Sequence, residues 1–91
     1  MRFEWDPKKA RANRRKHGVS FEEAAECFAD PLAMILEDPK RPEHAILIGE
    51  SSSCRLVFTV FVERLRGEII RIVGARKTTR AERRRYEEGD F

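Results

Sequence analysis

Apolar and polar residues alternate over residues 3–5, which predicts a short strand or an anchored extended arm. The pattern then changes. Asp6 is placed to cap a helix with Pro7 at its first position, and Gly18 to close it in a left-handed turn, so residues 7–17 form the first predicted helix. Ser20 and Glu23 make a capping-box pattern, and Phe21, Ala24, Ala25 and Phe28 recur at helical spacing. A second helix is therefore expected over 21–29, stopped by Asp30-Pro31. Residues 32–36 form an apolar run suited to a strand, and the charged, proline-bearing segment 37–42 reads as an exposed loop. Residues 45–49, 55–63 and 68–76 follow as three strands. The serines at 51–53 and a tight connection around Arg66-Gly67 join them into an antiparallel meander. Thr79 and Glu82 repeat the capping-box pattern and open a last helix carrying Arg80, Arg83, Arg84, Arg85 and Tyr86.

The strands carry a further constraint. In 55–63, Leu56, Phe58, Val60 and Val62 point one way and Val57, Thr59 and Phe61 the other, so both faces are largely apolar and helices must cover at least one. In 68–76, simple alternation puts Ile70, Ile72, Gly74 and Arg76 on one face and Ile69, Arg71, Val73 and Ala75 on the other. The fold class is α/β of the α+β kind: a small antiparallel sheet packed with two N-terminal helices and one C-terminal helix. Ninety-one residues suit a single domain covering 1–91.

The first helix has no broad apolar stripe. Lys8, Lys9, Arg11, Arg14, Arg15 and Lys16 leave much of its circumference to water or to a polyanion. The formal net charge of +3 says little, but its distribution says more. Residues 1–18 sum to +5, residues 19–50 to −6 and residues 51–91 to +4. Two basic ends flanking an acidic middle are expected to converge on one cationic surface, for which nucleic acid is the leading partner. Cys27 and Cys54 lack metal-site spacing and read as reduced core residues. With a charged rather than apolar start and no run long enough to span a bilayer, a cytoplasmic protein without a membrane partner is expected.

Trp5-Asp6, Asn13, Lys16-His17-Gly18, Phe21-Glu22-Glu23-Ala24 and the ending Ile72-Val73-Gly74-Ala75-Arg76, with Glu82 and Tyr86 downstream, together resemble the BrnT family of type II toxins. Lys9, or Lys8 in an alternative register, stands at the lysine of that signature. The resemblance implies a RelE-like fold, an RNA-cleaving activity that stops translation, and a BrnA-like antitoxin with a ribbon-helix-helix DNA-binding part. Operator DNA would then be reached only through the antitoxin. The toxin would join a complex that represses its own operon.

Metal-independent RNA cleavage requires activation of a ribose 2′-hydroxyl, cationic stabilisation of the phosphate and a proton for the leaving oxygen. Arg76, at the end of the last strand, offers paired donors for phosphate oxygens and ranks first, as the resemblance also implies. Its competing role is an ion pair with a helix carboxylate such as Glu82. His17 is an acid or base suited to neutral pH, or a cap on the carbonyls at its helix end. Tyr86 is a proton donor or base-stacking ring, or a core residue over the sheet. Lys16, Arg80 and Arg83 are candidates for holding RNA phosphates, and His44 reads as structural. No pattern suggests a metal site or a cofactor. A non-catalytic nucleic-acid-binding module and a protein-interaction adaptor are the alternatives to a ribonuclease.

Overall fold

The computed structural model describes residues 1–89. Its elements are β1 (Arg2–Glu4), α1 (Pro7–His17), α2 (Phe21–Glu26), a 3-10 turn (Cys27–Ala29), β2 (Met34–Glu37), β3 (Ala45–Glu50), β4 (Leu56–Arg64), β5 (Ile69–Lys77) and α3 (Arg80–Glu88). The helix boundaries follow local chemistry. Asp6 accepts a hydrogen bond from the Lys8 amide at 2.9 Å, and Gly18 closes α1 at φ 71°. Ser20 accepts from the Glu23 amide, but the Glu23 carboxylate does not complete the expected box, because Arg55 and two serines claim it. At α3 both halves of the box form between Thr79 and Glu82.

The five strands lie in the order β1-β5-β4-β3-β2. The β2–β5 meander is antiparallel as expected, whereas β1 adds to its edge in parallel with β5, pairing Arg2 with Ile69 and Glu4 with Arg71. This parallel strand departs from the all-antiparallel expectation. It delivers Phe3 onto the ring of Phe28, which in turn meets Phe61 edge-on at 4.9 Å.

Two apolar clusters pack the two faces. On one, Val19, Phe21, Ala24 and Cys27 bury Leu47, Val57, Phe61, Ile70, Ile72 and Ala75. On the other, Met34, Ile46 and Ile48 gather Leu36, Phe58, Val60 and Tyr86 of α3. Helices α1 and α2 thus serve the first face while α3 supplies cover to part of the second. Gly49 marks a close approach: a Cβ there would lie 2.9 Å from the Cys27 carbonyl oxygen. Cys27 is buried, and its thiol is pushed up to about 12 by that burial and by neighbouring carboxylates. Cys54 is exposed in the serine turn at φ 64°, not in the core as its composition class suggested. Among the described residues no helix is long and apolar enough to cross a membrane.

The face assignment along β5 also departs from simple alternation. Val60 pairs with Gly74 but the next residue, Phe61, pairs with Ile72, so Val73 is an extra residue bulged out of the ladder. Beyond it the parity flips. Ala75 takes the buried face shared with Ile70 and Ile72, and Arg76 is turned to the opposite face, paired with Phe58. Arg76 does share a face with Gly74, as expected, but not with the isoleucines.

Candidate active site

The bulge brings Arg76 over Phe58, its guanidinium carbon 3.8 Å from the ring centroid. Glu82 grips it from the first turn of α3: Arg76 Nη1 donates to Glu82 Oε1 at 2.9 Å and Nη2 to Oε2 at 3.0 Å. Nη1 also donates to the Lys77 carbonyl. Three of the five guanidinium donors are thus engaged. The Nε–H and one Nη2–H find no acceptor among the described residues, and the side chain stays 36% exposed. Partial burial works against ionisation of Glu82, yet the hydrogen bonds from Arg76 and Thr79 outweigh it and hold the carboxyl below its ordinary value. The ion pair considered for Arg76 is therefore formed, and it fixes the guanidinium plane.

Arg76 and His17 line one hollow of about 170 Å³ together with Asn13, Phe58, Val60, Gly74 and Ala75. Asn13 explains how α1 is held there. Strand β1 reaches only as far as Arg71, leaving the outer edge of β5 beyond it unpaired. Asn13 replaces a strand at that edge: its amide donates to the Ala75 carbonyl at 2.8 Å and its carbonyl oxygen accepts from the Ala75 amide. The same amide donates to the Val19 carbonyl, tying the α1–α2 corner to β5. The C-terminal turn of α1 is thereby held where His17 lines the same hollow as Arg76.

A second network secures the corner from the far side. Arg55, just before β4, donates from Nε to Glu23 at 2.9 Å and from Nη2 to the Gly18 carbonyl at 3.1 Å. Ser51 and Ser53 donate to the same carboxylate. Arg55 above all, with the serines, holds the Glu23 carboxyl down to about 2 against the opposing effect of burial.

The remaining candidates lie differently. Tyr86 packs with Phe58 and Val60 against the Met34, Ile46 and Ile48 cluster, and its hydroxyl donates to Asp30 at 2.6 Å. Burial, and then that bond to a carboxylate, raise the phenol above its ordinary value. Lys16, Arg80 and Arg83 are exposed; Arg83 faces Glu87 one turn along α3 at 3.6 Å. None of these four lines the hollow that joins His17 to Arg76. Two contributors were missed as site residues. Phe58 was read only as a face residue, and Asn13 only as a word of a signature, although an asparagine inside a polar helix already asks what it is bonded to. Among the described residues no three His, Cys, Asp or Glu side chains gather as metal ligands would.

The ribonuclease toxin family BrnT, of type II toxin–antitoxin systems, matches residues 5–82. The fold is similar to that of the crystal structure of the Brucella abortus ribonuclease toxin BrnT, with a TM-score of 0.67 and 21% sequence identity over 88% of this chain and 99% of that one. No curated protein sequence matches the chain. The matched span holds the α1 signature, the bulged strand with Arg76 and the carboxylate that grips it, and the chain belongs to the BrnT family of ribonuclease toxins of type II toxin–antitoxin systems.

Proposed function

We propose that the protein cleaves single-stranded RNA without a metal ion, at the hollow shared by Arg76 and His17, and thereby stops translation. The observation that carries this reading is a guanidinium held by Glu82 and Phe58, with two donors unengaged among the described residues, in a side chain that lines one hollow with His17. In the reaction, a ribose 2′-oxygen attacks the adjacent phosphorus, the bond to the 5′-oxygen breaks, and a 2′,3′-cyclic phosphate and a 5′-hydroxyl result. One proton leaves the 2′-hydroxyl and one reaches the 5′-oxygen. His17 is assigned one of these two transfers. Arg76 is assigned the non-bridging oxygens, where charge grows, and Glu82 is its positioning residue. Tyr86, named as a catalytic candidate from sequence, acts in this reading through the cluster it shares with Phe58. Lys16, Arg80 and Arg83 attract and steer the RNA from outside the cleft.

An antitoxin partner and an RNA target follow from the family. That the antitoxin is BrnA-like, with a ribbon-helix-helix part that reaches operator DNA, is part of the proposal. The cytoplasm is the matching location.

The test incubates purified protein with single-stranded RNA in EDTA, comparing wild type, Arg76→Lys, Arg76→Ala and His17→Ala, each checked for folding by circular dichroism. Wild type is expected to yield cyclic-phosphate ends. Losing the planar donor fork is expected to cost roughly 10²–10³ in rate, and His17→Ala about 10² or more. Intact RNA with folded wild type, alongside unaltered growth on expression in a bacterium, overturns the reading. One observation favours a second reading. Glu82 neutralises Arg76, as it would in a purely structural pair, and salt-sensitive RNA binding without scission would establish that non-catalytic module.

A further inference from the structure

The hollow that holds His17 and Arg76 does not end at Gly74. Gly74 and Val60 also line a second hollow, of about 380 Å³, whose other walls include Lys9, Asp38, Arg41 and His44. The two spaces share a floor on one face of the sheet, at the site of the β5 bulge. Nothing lies within 4 Å of where a Gly74 Cβ would project, so the floor is open there.

Charge in the second hollow favours an anion. Lys9 and Arg41 are exposed, and neither side chain has a hydrogen-bond or ion-pair partner among the described residues. Asp38 opposes them with one negative charge, facing His44 Nδ1 at 4.0 Å and accepting from the Lys40 amide, and the two cations outnumber it. His44 was read from sequence as structural; its ring lies in this wall with its side chain 15% exposed.

Spacing along α1 relates the hollows. Lys9 and His17 are eight residues apart on one helix, which is about 12 Å of rise. That exceeds the ~3.4 Å step between neighbouring stacked nucleotides, so one strand crossing both hollows presents different phosphates to them.

We propose that Lys9, Arg41 and His44 form a second subsite that holds an RNA phosphate away from the scissile one, so that the substrate lies along a groove floored by Val60 and Gly74. This rests on the RNA-cleaving reading above. It makes a dinucleotide an incomplete ligand. A strand of several nucleotides fills both hollows.

The experiment measures binding by fluorescence anisotropy of a labelled dinucleotide and a labelled hexanucleotide RNA across a salt series, and follows cleavage of the hexanucleotide in parallel. Proteins compared are wild type, Lys9→Gln/Arg41→Gln, Gly74→Val, and Arg2→Gln/Arg66→Gln as a charge-matched change at exposed positions outside the groove. Wild type is expected to gain affinity on lengthening the RNA. The Lys9/Arg41 variant should lose roughly tenfold in hexanucleotide affinity, with a salt slope shallower by about 0.7 for the one phosphate no longer held. Gly74→Val, which projects into open space rather than into protein, should erase the gain from length. Equal losses in the two double variants, or no gain on lengthening in wild type, overturn the subsite. Length-dependent binding that follows this pattern without any scission would uphold the subsite and sink the catalytic reading instead. Cleavage with no difference between the double variants would do the reverse.

Discussion

Replacing Glu23 with glutamine tests the clamp that holds the α1–α2 corner against the sheet. The carboxyl is held at about 2 instead of 4.5, chiefly by Arg55. Lowering the carboxyl from 4.5 to about 2 amounts to about 3 kcal/mol of preference for the charged, folded form. Glu23 is only 14% exposed, but Arg55 is 37% exposed and partly screened by water, so a loss of about 2 kcal/mol at pH 7 is expected. That is a large share of the roughly 5–10 kcal/mol available to a domain of this size. The sign follows from a folded-state value below the unfolded one: the contribution is fully present above pH 4.5 and is lost as pH falls toward 2. Urea unfolding of wild type and Glu23→Gln at a series of pH values should therefore show two stability curves that are separated at neutral pH and converge toward pH 2. A gap under about 0.5 kcal/mol at pH 7, or one that persists undiminished in acid, would show that this ion pair does not hold the corner. Because Arg55 also binds the Gly18 carbonyl beside His17, RNA cleavage should fall more than stability alone accounts for.

Asn13→Ala should cost about 2–3 kcal/mol by urea unfolding, because it strips partners from the Ala75 amide and carbonyl, and hydrogen exchange at Ala75 should accelerate with it. Gly49→Ala should lower stability by about 1–3 kcal/mol, since the new methyl meets the Cys27 carbonyl; an unchanged melting temperature would show that the contact yields freely. Leu65→Asn with Arg66→Gly should instead raise stability by about 1 kcal/mol in a thermal melt, because both positions sit at positive φ in the β4–β5 turn.

The order of elements was legible because its signals are local. Caps at Asp6, Ser20 and Thr79, the stop at Asp30-Pro31 and the alternation in β4 each concern neighbours in the chain. What escaped is non-local. The parallel docking of β1 depends on which meander edge is left open after folding, and no residue of 2–4 encodes that alone. Glu23 looked like half of a reciprocal cap until Arg55, distant in sequence, proved the stronger partner. Cys54 was misplaced because a residue type's average burial says nothing of a serine turn at positive φ. At the candidate site, the pairing of Arg76 with Glu82 could be anticipated from the capping pattern, whereas Asn13 and Phe58 acquire their places only through cross-chain neighbours.

The bulged Val73 carries a consequence for how this protein tolerates genetic change. Side-chain direction along a strand depends on how many residues precede a position, not on what they are. One codon gained between Ala75 and Arg76 would leave every named side chain present and yet rotate Arg76 off Phe58 toward the layer beneath the helices, whereas loss of the extra Val73 would only close the ladder. A scan that swaps residues one for one preserves the tally and passes silently over this dependence. In this toxin fold, arithmetic along one strand is as much a determinant of where Arg76 faces as chemistry.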